Sequence, residues 1–233
     1  MTVNGNSCLT CKVKNCSLLK PCTDDTLTVI SKFKSERKFD KGEFVFKEGD
    51  MVKGIYFIKK GMVKIEKRMP KGRAFILKIC GPGGLFGHRG HDQNFYQNYS
   101  VVALSECASC FIPFDVFNEI LNNAPDLEKQ IIKDNLKDLE KMEQRSLSLA
   151  FKPVKERVAE GILLLSEIYC YDPQKKGFCI DLSRQDFADL TGTTKEQVSA
   201  VFREFSRNSI IRYSGKKISY IDLEALKSFS ADR

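Results

Sequence analysis

The chain has 233 residues, is 42% hydrophobic and carries a formal net charge of +8, enough apolar content for one large or two small folded domains and a charge balance suited to a polyanionic partner. Its strongest apolar run, GILLLSEIY at residues 161–169, is too short to cross a bilayer, and no secretory leader opens the sequence. A soluble cytoplasmic protein is expected, in which nine cysteines point to metal, cluster or redox use and away from a disulfide framework.

Four of those cysteines, Cys8, Cys11, Cys16 and Cys22, crowd into SCLTCKVKNCSLLKPC at residues 7–22. Their spacing alone leaves three readings open: disulfides, a metal or iron–sulfur site, and unliganded thiols. From about Phe33 to Phe114 short stretches of alternating β-branched and aromatic residues lie between Gly42, Gly49, Gly54 and Gly61, the pattern of an antiparallel barrel or roll. Cys107 and Cys110 share one expected strand, and a separation of three sends their side chains to opposite faces. Cys107 is therefore expected in the core, as are Cys80, Cys170 and Cys179, which sit in apolar sequence.

A 27-residue segment free of glycine and internal proline follows from Pro125 to Phe151 and predicts a helix about 40 Å long. Leu127, Ile131, Ile132, Leu136, Leu139 and Met142 form a narrow apolar stripe on a charged surface. Ile132, Leu136, Leu139 and Met142 suit a two-helix dimer seam, and packing on the chain's own roll is the alternative. Asp134 and Asp138, with Lys133, Lys137 and Glu140, flank the stripe and would bring like charges together across a two-fold axis.

The last third reads as a helix at residues 155–169, a short strand in GFCIDL, and then SRQDFADLTGTTKEQVSAVFREF. Ser183 with Asp186 has capping-box spacing, so a helix starts there and stops before Gly192. Thr193 with Glu196 repeats that spacing. The next helix carries Val198, Val201, Phe202 and Phe205 on one face, making a helix-turn-helix unit. SIIRYSGKKISYI predicts a hairpin wing around Ser214 and Gly215, and DLEALKSF a closing helix capped by Asp222. No Walker motif, nucleophile elbow or histidine-rich metal triad supports an enzyme, and the helix-turn-helix argues against a regulatory module of a kinase or channel.

This order of elements resembles the CRP/FNR bacterial transcription regulators over nearly the whole length, most specifically in KGEFVFKEGDMVKGIYFIKKGMVKI and LSRQDFADLTGTTKEQVSAVFREF. The resemblance implies an α+β fold: a cysteine-rich segment at residues 1–23, an antiparallel β-roll of the cyclic-nucleotide-binding type at 24–122, a dimerisation helix at 123–151 and a winged helix-turn-helix at 152–233. It further implies a homodimer on near-palindromic double-stranded DNA, with RNA polymerase as a partner and no membrane. Two reading helices would enter successive major grooves roughly 34 Å apart.

Glu196 and Ser199 fall on the family's base-reading positions, and a glutamate is suited to accept from the cytosine amino group. The alternative for Glu196 is a plain capping acid. Ala200 stands where an arginine usually follows the serine, so a different operator is expected. Thr194, Lys195 and Arg203 are expected beside them on base or phosphate, with Arg212, Lys216 and Lys217 of the wing as phosphate contacts or merely solvated charges.

In the roll, His88 and Tyr99 occupy the places of the acid and arginine that hold a cyclic nucleotide, so cyclic AMP is not expected; Arg89 would substitute only from a shifted register. The oxygen-sensing branch of the family holds a [4Fe-4S] cluster on four cysteines. Cys8, Cys11, Cys16 and Cys110, the last directly before FIPF, match those ligands, although the interval from Cys11 to Cys16 is one residue short of the pattern. Cys22 is a substitute ligand, structural zinc and no metal are alternatives, and His88 and His91 are candidates for haem in a gas-sensing relative.

Overall fold

The computed structural model describes residues 7–69, 72, 74–88, 96–172, 174 and 178–230, without the side chains of Cys16 and Ser230. Two short 3-10 turns, Cys8–Thr10 and Lys14–Cys16, lead into α1 (Asp24–Phe33). Among the described residues eight strands follow: β1 (Ser35–Phe39), β2 (Phe44–Phe46), β3 (Gly54–Lys60), β4 (Val63–Arg68), β5 (Ala74–Cys80), β6 (Leu85–Phe86), β7 (Ser100–Ala103) and β8 (Cys107–Pro113). They form two antiparallel sheets ordered β1-β8-β3-β6 and β2-β7-β4-β5. Gly61, at φ +84°, turns β3 into β4 where an added Cβ would lie 2.2 Å from the Glu106 carbonyl oxygen. A side chain there would meet rigid backbone.

Two helices close the roll, α2 (Phe114–Asn123) and the long α3 (Pro125–Phe151). The last part of the chain comprises α4 (Val154–Ile168), β9 (Ile180–Asp181), α5 (Arg184–Thr191), α6 (Lys195–Arg207), β10 (Ile211–Ser214), β11 (Lys217–Ile221) and α7 (Leu223–Ser230), with the three strands ordered β10-β11-β9. The expected α+β architecture of roll, long helix and winged helix-turn-helix is what the chain adopts. Among the described residues no helix is long and apolar enough to cross a membrane. Two compact units result: Met1–Lys67 with Leu77–Glu140, and Arg68–Ile76 with Lys141–Arg233.

The first unit has two cores. One fills the roll with Phe46, Ile58, Val63, Ile65, Phe86, Tyr99, Val101 and Cys107. The other packs Cys8, Leu18, Leu19, Leu27, Ile30, Phe57, Ile112, Phe117, Ile120 and Leu127 on the outer face of the β8 sheet. Cys107 belongs to the first core while Cys110 packs against the second, as strand alternation requires.

Several expectations need correction. The stretch expected as β-roll, residues 24–122, opens on α1 and closes on α2. Cys170 is exposed at the end of α4 with φ +51°, and Cys179 is only half-buried, so neither joins Cys80 in a core. The apolar stripe of α3 divides: Leu127 is buried and Ile131 packs with it on the chain's own core. Ile132, Leu136 and Leu139 are 53%, 60% and 56% exposed, and Met142 is half-buried. Asp138 does not flank a free seam, because its carboxylate is paired with Lys78 of β5 at 2.6 Å.

Candidate functional site

Two constellations carry chemistry, one in each unit. In the second unit, Ser183 caps α5 by accepting from the Asp186 N–H, and Gly192 closes the helix in the left-handed region at φ +63°. The next cap is Thr194, one residue later than the expected Thr193: its hydroxyl accepts from the Gln197 N–H at 3.3 Å. Thr193 instead donates to the Gln197 side-chain oxygen. The spacing from 193 to 196 is therefore coincidental, and the cap is the single bond from the Gln197 N–H to Thr194.

Val198, Phe202 and Phe205 are fully buried and Val201 nearly so, which turns the opposite face of α6 to solvent. Lys195, Glu196 and Arg203 are exposed there with Thr194, and Ser199 is half-buried. Glu196 lies 3.8 Å from the Lys195 ammonium. Its carboxyl is held below the usual range by the backbone N–H at the helix start, with help from the Thr194 hydroxyl and Lys195. It is thus an acceptor at neutral pH. Ser199 donates to the Lys195 carbonyl oxygen at 2.7 Å, so this hydroxyl can accept from a base amino group as it stands and must rotate to donate to one. On the wing, Arg212 stacks on Tyr220 at 4.9 Å, while Lys216 and Lys217 remain exposed at the turn.

Three arginines that sequence reasoning passed over hold this reading head. Arg157 donates to the carbonyl oxygens of Thr191 and Gly192 at 3.0 Å each. Arg145 bonds the Leu190 carbonyl oxygen and lies 4.4 Å over the Phe75 ring, and burial pushes its pKa down to about 10. These cations satisfy the orphan carbonyls at the α5 C-terminus, where the helix dipole favours positive charge. Arg184 stacks between Phe202 at 4.1 Å and Tyr213 at 4.7 Å, fastening α5 to α6 and the wing.

In the first unit, Cys8, Cys11 and Cys110 line one cavity of about 30 Å³ with Lys14, Lys34, Lys59 and apolar Val13, Leu19, Ile30 and Phe57. Cys8 is held in place by its N–H bond to the Ser31 hydroxyl oxygen at 2.8 Å. Cys110 sits opposite Glu36 on one side and Phe57 on the other. Burial raises its pKa, Lys34 and Lys59 pull it back, and Cys8 and Cys11 raise it further, so the thiols feel one another. Cys22 packs against the same core with its thiol pushed by burial up to about 11. Two of the three N-terminal ligands proposed by resemblance thus meet the distal one, while the Cys16 side chain lies outside the described residues.

Among the described residues no three metal-ligating side chains stand ready-made around an ion. The donor set fits a thiophilic group, but a volume of about 30 Å³ admits little more than one water. Anything larger requires the 7–22 segment to move outward.

The roll interior offers a different setting. The Tyr99 hydroxyl accepts from the Gly87 N–H at 3.1 Å and its ring is buried beside Phe46. Tyr56 and Phe86 stack at 5.0 Å. His88 Nε2 is 3.2 Å from the Asn135 side-chain oxygen, whereas Arg89 and His91 lie outside the described residues.

Comparison with known proteins agrees with this architecture. The cyclic nucleotide-binding domain family matches residues 36–124 and the Crp-like helix-turn-helix domain family matches residues 156–229. The chain is 29% identical over 220 residues to the transcriptional activator protein anr of Pseudomonas aeruginosa, covering 90% of this chain and 88% of that protein. It is 28% identical over 191 residues to the CRP-like cAMP-activated global transcriptional regulator of Mycobacterium tuberculosis, covering 81% and 84%. Its fold is similar to FixK2 from Bradyrhizobium japonicum, with a TM-score of 0.75 at 21% identity, covering 86% of this chain and 98% of that one.

Proposed function

Because this chain belongs to the CRP/FNR family of transcription regulators and is a DNA-binding regulator of that type, we propose that it reports oxygen, nitric oxide or redox state through an iron–sulfur cluster at its thiol cavity. The observation that carries the reading is that Cys8 and Cys11, at one end of the chain, meet Cys110 of β8 around a single cavity lined by lysines. Cys8, Cys11, Cys110 and Cys16 would hold the cluster, with Cys22 as the substitute ligand. When bound, the cluster supplies an oxidisable centre whose loss changes the packing of the 7–22 segment.

The remaining steps belong to this chain's own residues. The segment that carries Cys8 and Cys11 shares a core with α1, α2 and Leu127 of α3. Changes in its packing therefore reach the base of the long helix. Ile132, Leu136 and Leu139 stand exposed in a row, with Met142 at its end, and a second copy of the chain covers them in a homodimer. The two α6 helices then read a near-palindrome, with Glu196, Ser199 and Arg203 on bases and Thr194, Lys195 and the wing on phosphate. Within this reading, residues 1–23 act as the ligand segment, 24–122 as the sensor, 123–151 as the dimer helix and 152–233 as the DNA-binding head, which engages RNA polymerase from the operator.

A second reading has specific support in the cAMP-activated relative: the same regulator controlled by an organic effector or cyclic nucleotide in the roll, with its cysteines incidental or zinc-bound. Tyr99 weighs against a cyclic nucleotide, because its hydroxyl already occupies the Gly87 N–H and its position supplies no cation for a phosphate.

The test is iron and acid-labile sulfide content, visible absorbance and operator binding of anaerobically purified protein, before and after air. About four irons per monomer, bleached by air together with loss of tight DNA binding, is the expected result. Metal-free protein that binds a palindromic DNA equally well in air overturns the sensing proposal and leaves the effector reading.

A further inference from the structure

The thiol cavity is unusual in its charge. Lys14 from the second 3-10 turn, Lys34 from the end of α1 and Lys59 from β3 all line it. No carboxylate stands among the described residues that line it. Three separate elements therefore each contribute one lysine to the cavity that Cys8, Cys11 and Cys110 line, and the charges of Lys34 and Lys59 act on Cys110. Lys59 is fixed there by a 2.6 Å ion pair with Glu36, whose strand lies directly beside Cys110. Cations gathered around a thiol cavity repel one another, and an anionic group held between them relieves that repulsion.

We propose that Lys14, Lys34 and Lys59 form a cationic frame that sets how tightly the cavity retains an anionic metal–thiolate group, with Glu36 as the opposing charge. The inference rests on the cluster reading and adds residues to it. A [4Fe-4S]2+ core on four thiolates carries a net double negative charge, so each ammonium favours the filled state over the empty one. Glu36 acts in the other direction, by offsetting Lys59.

This opposition separates an electrostatic role from a merely structural one. Lys59→Gln and Glu36→Gln break the same ion pair. If the pair only braced β1 against β3, both variants would lose the cluster faster. If the charges tune retention, the two variants move in opposite directions.

The experiment uses the full chain, reconstituted with iron and sulfide without oxygen, and follows loss of visible absorbance to an excess of an iron chelator. Lys34→Gln and Lys59→Gln are expected to shorten the half-life on the order of three- to tenfold, Glu36→Gln to lengthen it, and Lys59→Arg to restore it. The spread should narrow as salt rises from roughly 0.05 to 0.5 M. Thermal melting of the unloaded variants checks that each is folded. Lys59→Gln and Glu36→Gln shifting together, or neither shifting, overturns the frame while the cluster reading stands. Failure of the unmodified chain to take up iron and sulfide overturns the cluster reading and the frame with it.

Discussion

The reading head and the thiol cavity are assembled by opposite routes. Every residue of the proposed base-reading face sits on or beside α6, a 13-residue helix whose buried row of Val198, Val201, Phe202 and Phe205 fixes which side chains face outward. The cavity instead draws Cys8 from a 3-10 turn, Lys34 from the cap that follows α1, Lys59 from β3 and Cys110 from β8. Bringing such distant segments together costs loop-closure entropy that packing of the shared core must offset. A face carried by one helix is rigid and constant, whereas a site closed by an N-terminal segment can open to admit a group larger than the cavity of about 30 Å³. That is the division of labour a regulator needs between a fixed DNA code and a variable signal.

The largest expected effect comes from Phe202→Ala. The ring is fully buried, 5.0 Å from Phe187 and 5.5 Å from Tyr213, and Arg184 stacks on it. Truncation should cost about 3–5 kcal/mol in urea denaturation and abolish operator binding, with iron loading unchanged. A matching fall in iron content would break the contrast between the two regions. Cys110→Ser is the reciprocal change: it should remove cluster loading and leave the urea stability of the DNA-binding head intact.

Smaller effects separate roles within the reading face. Glu196→Gln exchanges an acceptor suited to cytosine for an amide suited to adenine, so the preferred base at one position of each half-site should change. Discrimination there should shift on the order of ten- to a hundredfold in binding selection. Lys195→Gln should weaken all sequences alike and reduce the salt slope of binding by about one. Equal behaviour of the two variants would mean that Glu196 reads no base.

What was legible in the sequence follows the same contrast. The limits of α5, the buried row of α6, the wing and the Asp222 cap were all readable because caps and periodicity act over a few residues. The helix α1 escaped notice because Thr26, Thr28, Val29 and Ile30 give it weak intrinsic helix preference. Packing of Leu27 and Ile30 into the outer core decides it. Cys170 misled because its apolar neighbours end in a turn rather than a core. The pairing of Asp138 with Lys78, the stacking of Arg145 on Phe75 and the lysines around the thiols join residues distant in the chain, which local pattern does not reveal. For the ligand set, only the resemblance placed Cys110 beside the N-terminal cysteines, and the fold brings it to Cys8 and Cys11.

The finest distinction is between two adjacent threonines. Thr194 caps α6 through the Gln197 N–H, whereas the Thr193 hydroxyl bonds only a side-chain oxygen. Thr194→Ala should therefore cost about 1 kcal/mol in urea denaturation, and Thr193→Ala about 0.5 kcal/mol or less. The opposite order would start the helix one residue earlier and make Glu196 the acid of a capping box with Thr193. Its carboxylate would then bond the Thr193 N–H in place of its own N–H and the Thr194 hydroxyl, which hold it here. The same two variants thus decide where the reading helix begins and which groups hold its first acid.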